Sequence, residues 1–129
     1  RKSLLSYPQE QEYAENIGNL AFKYLTGLAF DPWFGPRVMN KKALPYFLEY
    51  QGEYGDKWDC IFMPVLRAMK DGLRVKSVEV DYIHPSEQTR EEKGRIDFLL
   101  KRVEQLLNLI PALDRETRRL GIAAPFAWE

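Results

Sequence analysis

The sequence predicts one helix-rich α+β domain, and three observations support this fold class. Apolar residues recur every three or four positions from Ile96 to Ile110, which indicates a long amphipathic helix. Apolar and acidic residues alternate between Val75 and Ile83, which indicates a strand with one buried face. The chain has 129 residues, 45% of them hydrophobic, which is enough for one core but not for two. We therefore expect residues 1–129 to form a single domain.

The first element is an amphipathic helix between Glu10 and Leu25. Four of its apolar residues share one helical face, which we expect to pack against the core: Tyr13, Ile17, Leu20 and Tyr24. The ten residues 27–36 contain two prolines and two glycines, so they predict an ordered loop. A short strand is expected at 37–39.

Two further helices are predicted in the middle of the chain. Asn40 is a candidate cap for a brief helix that runs through Leu48. Asp59 is placed to cap the next helix with its carboxylate, and Gly72 to end it. The strand that alternates between Val75 and Ile83 follows this helix.

Residues 89–121 predict the C-terminal helices. Thr89 opens a segment with the form of a capping box, and the long amphipathic helix follows it. Pro111 is expected to break that helix. A second short helix then runs to about Leu120, where Gly121 stops it.

Charge and cysteine content exclude several classes of function. Nineteen Lys and Arg balance nineteen Asp and Glu, so nothing attracts the chain to nucleic acid. Cys60 is the only cysteine, which prevents an intramolecular disulfide and a thiolate zinc site. No apolar run reaches the length of a membrane span. We expect a cytoplasmic protein, and because the chain begins with Arg1 rather than Met, we expect it to be part of something longer.

A few residues could carry chemistry. Asp56 and Asp59 precede a helix, where a carboxylate can act as a general base, although helix capping or a solvated loop charge is the commoner reason for aspartates there. His84 is the only histidine and lies at the end of the predicted strand. Trp33 and Arg37 belong to a loop suited to stacking on a sugar or holding a phosphate. With one histidine and no glycine-rich phosphate loop, serine-hydrolase and nucleotide-triphosphatase functions are excluded.

The order of motifs between residues 31 and 88 resembles a known family. Gly-Pro-Arg-Val-Met-Asn at 35–40 precedes a glycine-bearing loop, then a helix from Asp59 to Gly72, then Arg-Val-Lys-Ser-Val-Glu-Val at 74–80. This order is similar to the C-terminal, acceptor-side half of family 2-like glycosyltransferases of the GT-A fold. The resemblance implies a partial GT-A-like unit with a few short strands, and transfer of a sugar from a nucleotide donor to an acceptor.

The resemblance also implies roles for individual residues. Asp59 would be the catalytic acidic residue facing the acceptor, with Asp56 as its substitute. His84 would bind a divalent metal, Mg or Mn, if the complete site exists, and no cofactor is expected for this chain alone. Trp33 and Arg37 would shape the substrate pocket. The nucleotide-binding half and its Asp-x-Asp motif are missing, so the resemblance implies a fragment or truncated relative that does not catalyse transfer unaided.

Two other functions stay open. One is a noncatalytic helical interaction or oligomerisation module that pairs with itself or with a partner through an apolar surface made of Leu106, Leu107, Ile110 and Phe126. The other is a helical regulatory domain that binds a small ligand in the loop at Trp33 and Phe34.

Overall fold

The computed structural model describes residues 1–55 and 57–122, and within these ranges every regular element is a helix. In chain order they are α1 (Gln9–Thr26), α2 (Leu44–Leu48), α3 (Asp59–Lys70), α4 (Ser86–Glu92) and α5 (Ile96–Leu120). No strand occurs in the two described ranges. The predicted α+β class, with its partial GT-A-like unit and short strands, is therefore wrong.

The predicted strand between Val75 and Ile83 fails because it has no partner strand. Its one backbone hydrogen bond to a distant segment runs from the Lys2 amide to the Val80 carbonyl, at 3.1 Å. Val78, expected on the buried face, is 75% exposed. A segment in which apolar and polar residues alternate forms a strand only where a neighbouring strand completes the hydrogen-bond ladder and a core covers one face. The predicted strand at 37–39 is also wrong, and Val38 there is fully exposed.

The three longest helices form the core. α5 packs against both α1 and α3, and the short α2 packs against α3. Six large side chains from these three helices are almost completely buried: Phe22, Phe62, Met63, Leu66, Leu109 and Leu113. Burying a side chain of this kind stabilises a fold by about 1.5–3 kcal/mol, so this cluster holds the helices together.

α1 has the predicted extent but buries a different face. Its buried residues are mostly small or polar: Ala14, Glu15, Gly18, Phe22 and Thr26. Tyr13 and Ile17, which the sequence predicts to be core, are 56% and 52% exposed. This face is buried because its small side chains allow the helix to approach its neighbours closely. Beside Gly18, for example, the Trp33 ring occupies the space that a larger side chain would need.

α3 begins at Asp59 as predicted, but the Asp59 side chain does not cap it. Trp58 occupies the N-cap position with a φ of 64°, and its side chain makes no capping hydrogen bond. At the other end, Gly72 has a φ of 94° directly after the last turn, as the sequence predicts.

α5 differs from the prediction at Pro111 and at its N-terminal end. The helix continues through Pro111 and ends at Gly121, whose φ is 68°. The break lies earlier, between α4 and α5, where Gly94 has a φ of 75°. The predicted continuous helix after Thr89 is therefore two helices. Among the described helices, none combines the length and the apolar character needed to cross a bilayer.

Candidate interaction surface

A groove of about 410 Å³ runs along the surface between α1 and the first half of α5. Its walls are mainly apolar. α1 contributes Tyr13, Ala14 and Ile17, and α5 contributes Leu99, Val103 and Leu106. The groove exists because the small buried residues of α1 pack against α5, which leaves the larger side chains of both helices at its rims.

Apolar side chains extend outward from both rims of this groove. On α5, Leu100 is 59% exposed and Leu107 is 71% exposed. They lie on a different face of the helix from the buried core residues Leu109 and Leu113. We call the exposed apolar residues of the two helices the apolar face. They are Tyr13, Ile17 and Leu20 on α1, and Ile96, Leu99, Leu100, Val103 and Leu107 on α5.

The apolar face is large for a monomeric protein. Taking about 185 Å² for the whole surface of each such residue, the exposed fractions leave roughly 800 Å² of accessible area. The largest apolar patch on a typical monomer covers about 300–600 Å². A patch above that range is typical of a surface that another molecule covers.

Two charged residues of opposite sign line the groove, and the protein holds both in place. A carboxylate oxygen of Glu10 accepts a hydrogen bond of 2.8 Å from the Gly94 amide, which ties α1 to the break before α5. The Cζ atom of the Arg102 guanidinium lies over the ring of Phe98, 5.1 Å from the ring centroid. Burial lowers the pKa of Arg102, and the nearby Glu15 and Glu92 only partly offset this. The groove therefore carries little net charge.

Asp59, the predicted catalytic residue, is buried at the start of α3. Its carboxylate accepts a short hydrogen bond from the Tyr50 hydroxyl, and its other oxygen has no partner within the described structure. Burial and the hydrogen bond to Asp59 raise the pKa of Tyr50 well above its ordinary value. Asp59 lines neither the groove nor the second cavity described below. Asp56, its predicted substitute, lies outside the described residues.

Trp33 and Arg37, the predicted substrate-binding residues, make contacts that hold their loop to the core. The Trp33 ring packs edge-on against Phe62, with ring centroids 5.1 Å apart. Arg37 donates hydrogen bonds to the carbonyl oxygens of Ile61 and Pro32, the second at 2.9 Å. Burial lowers the pKa of the Arg37 guanidinium. These contacts join the loop to α3 and do not present Arg37 to a cavity.

His84, the predicted metal ligand, is buried beside Tyr7, with ring centroids 4.2 Å apart. Its Nε2 atom lies 3.7 Å from a carboxylate oxygen of Glu92. His84 and Trp33 both line a second cavity, of about 290 Å³, which also includes Tyr7, Phe34 and Tyr82. The structure therefore brings His84 close to Trp33 but does not place either in one cavity with Asp59.

The residues around His84 do not provide the ligand set that a divalent metal needs. Across the described ranges, no group of three or more His, Cys, Asp or Glu side chains is arranged to hold a metal ion. His84 and Glu92 form a pair, and Mg or Mn requires several oxygen ligands. The residues around His84 therefore do not fit the predicted metal site.

The α1 half of the apolar face is the part that sequence reasoning missed. The face at Tyr13, Ile17 and Leu20 has the stronger apolar pattern, so it was expected inside. The signal that favours the face found buried is the spacing by four of Ala14, Gly18 and Phe22, in which two small residues precede a large one. On α5, Leu106 lines the groove and Leu107 is exposed. That these residues belong to a partner surface stays a prediction. Phe126 lies outside the described residues.

Comparison with known proteins gives no relationship for this chain. No family model matches it, and neither the curated proteins nor the solved structures contain a match. The resemblance to glycosyltransferases therefore has no support from these searches, and the arrangement of α1 and α5 is the observation from which function has to be argued.

Proposed function

We propose that this chain is a helical self-association module in which two copies bind each other through the apolar face. One observation carries the proposal: roughly 800 Å² of apolar surface lies exposed on two helices that are packed together. A standard protein–protein interface buries about 800 Å² on each partner. The exposed area is therefore about what one side of a stable dimer needs.

The shape of the surface suits a second copy of the same chain. Leu100 and Leu107 form a ridge on α5, and the groove between α1 and α5 lies next to that ridge. In a twofold dimer, each copy presents the same patch to the other. The ridge of one copy then fills the groove of its partner, which is how packed helices interlock.

The charges also favour a second copy over a strongly charged partner. The chain has a formal net charge of zero, so two copies do not repel each other at long range. Within the groove, Glu10 and Arg102 have opposite signs. Neither an acidic nor a basic partner finds a complementary field there, whereas the apolar side chains of another copy meet no opposing charge.

Sedimentation velocity between about 2 and 200 μM tests the proposal, since dimers with Kd values in this range become populated across it. We expect the mass to approach that of two 15.2 kDa chains at the upper end. The double variant Leu100→Glu/Leu107→Glu should stay monomeric, because it places four carboxylates in the dimer interface. Both residues are exposed, so its circular dichroism should match the wild type.

Leu48→Glu is the matched control. Leu48 is 73% exposed on α2, outside the apolar face, so the same substitution there should leave the dimer intact. A wild-type protein that stays monomeric at 200 μM would overturn self-association and assign the face to a different protein. Equal loss of the dimer in Leu48→Glu and in the double variant would show that the interface lies elsewhere.

A further inference from the structure

The guanidinium group of Arg1 is buried between two carboxylates that come from different parts of the chain. Its Nε and Nη2 atoms donate to the two oxygens of Asp31 at 2.7 and 2.8 Å, which is a bidentate pair. Nη2 also donates to Glu15 on α1. Only 2% of the Arg1 side chain is exposed, so these charges interact with little screening by water.

Two aromatic rings complete the surroundings of this guanidinium. The Arg1 Cζ atom lies 5.0 Å from the centroid of the Tyr7 ring and 5.2 Å from that of Phe34. Both distances are within the range of a cation–π interaction. A flat cation with donors along its edge is the group that such rings and carboxylates accommodate together.

The four residues that surround Arg1 are each held in place by contacts other than Arg1 itself. Gln11 donates to Glu15 at 2.7 Å, and Asn19 donates to Asp31 at 3.4 Å. Tyr7 packs on His84, and Phe34 packs edge-on against Tyr82 at 5.2 Å between centroids. The site therefore has support that does not depend on the side chain occupying it.

A cavity directly beside the Arg1 guanidinium leaves space for another guanidinium group to replace it. Arg1, Tyr7, Glu15 and Phe34 all line the second cavity, of about 290 Å³. Residues 1–8 contain no helix or strand. Among the described residues, Lys2 contacts the distant part of the chain through its amide, which donates to Val80, and through its ammonium group, which donates to Asp81. The amino group of Arg1 also donates to Asp31 at 3.3 Å. Arg1 can therefore leave the site without any helix unfolding.

We propose that Tyr7, Glu15, Asp31 and Phe34 form a binding site for an alkylguanidinium group, such as an arginine side chain, and that Arg1 occupies this site in cis. The site shares no lining residue with the groove, so it does not depend on the proposed self-association. It discriminates against an ammonium group, which lacks a planar edge for the bidentate pair with Asp31.

Chemical rescue of Arg1→Ala tests the proposal. This variant removes the guanidinium that pairs with Glu15 and Asp31, although the amino group of residue 1 still lies 3.3 Å from an Asp31 oxygen. Its melting temperature should fall by about 10 °C, chiefly because the buried Glu15 carboxylate loses its bound cation. Ethylguanidinium at about 20 mM should then raise that temperature by about 5 °C, because a ligand that binds only the folded state stabilises it. The wild type, whose site is filled, should shift by less than about 1 °C.

Three controls separate specific binding from a general salt effect. Ethylammonium and sodium chloride at the same concentration should not restore Arg1→Ala. The triple variant Arg1→Ala/Glu15→Gln/Asp31→Asn lacks both carboxylates, so ethylguanidinium should not stabilise it. If Arg1→Ala does not fold, Arg1→Ala/Glu15→Gln is titrated instead, because it removes the charge of the more deeply buried carboxylate and keeps Asp31 and both rings. An equal response to ethylguanidinium and ethylammonium, or none to either in a folded variant, would overturn the proposal.

Discussion

Gly18 shows how one residue decides the packing of a helix. A Cβ atom added at this position would lie 2.2 Å from the Trp33 ring, closer than non-bonded carbon atoms can approach. The Trp33 ring cannot move away easily, since it packs edge-on against the buried Phe62. The glycine is therefore required by tertiary contact and not by its backbone conformation.

Gly18→Ala should destabilise the protein by about 1–3 kcal/mol, the usual cost of overpacking a core. In a helix free of this contact, the same change stabilises by about 0.5–1 kcal/mol, so the expected sign is reversed. Urea unfolding measures the difference. Gly35→Ala is the matched control, because a Cβ there meets nothing within 4 Å. Greater stability in Gly18→Ala would refute the close contact with Trp33.

α5 illustrates how tertiary packing keeps a helix continuous through a proline. Pro111 has no amide hydrogen, so the carbonyl of Leu107 loses its helical donor. Leu107 is exposed, which lets water hydrate that carbonyl. On the opposite side, Leu109, Ala112 and Leu113 are buried in the core. Their burial offsets the local cost of the proline, and the helix runs on to Leu120.

Replacing this proline should therefore stabilise α5. Pro111→Ala restores one backbone hydrogen bond and improves helix propensity, so the free energy of unfolding should rise by about 1–3 kcal/mol. Chemical denaturation monitored at 222 nm measures the change. Pro45→Ala is the control, since Pro45 lies in the first turn of α2, where proline is tolerated, and it should change stability little. A lower stability of Pro111→Ala would mean that Pro111 makes a contact the helix needs.

At the scale of the whole molecule, the Glu116 carboxylate of α5 connects that helix to α3 and to the loop before α3. Its side chain has no exposed surface. Arg67 of α3 donates to it at 2.8 Å, Arg119 donates at 2.6 Å, and the Tyr54 hydroxyl from the loop before α3 donates a short bond. Burial alone raises the pKa of Glu116, but these three donors outweigh burial and lower the pKa to about 2. The folded state therefore favours the ionised form of this carboxylate.

Acid should weaken the fold through Glu116. A carboxyl with a lower pKa in the folded state contributes stability that is present above its unfolded pKa, here 4.5, and is lost as the pH falls toward 2. Between pH 5 and 2.5 we expect Glu116 to account for about 2 kcal/mol of lost stability.

The pH dependence of urea unfolding in Glu116→Gln measures this contribution. That variant should be less stable at neutral pH but should lose about 2 kcal/mol less than the wild type on acidification. Glu104→Gln, an exposed position on the same helix, should keep the wild-type slope. Parallel curves for the wild type and Glu116→Gln would show that Glu116 does not drive acid unfolding.

The positions of the main helices follow from the amino-acid pattern. Spacing, together with Gly72 and Gly121, predicts where helices run and end, because these signals act over a few residues. Long-range packing, in contrast, explains why 75–83 forms no strand, why α1 buries its small residues, and why Arg1 pairs with Asp31. Those outcomes depend on partners distant in the chain, and local pattern contains no information about which distant residues meet.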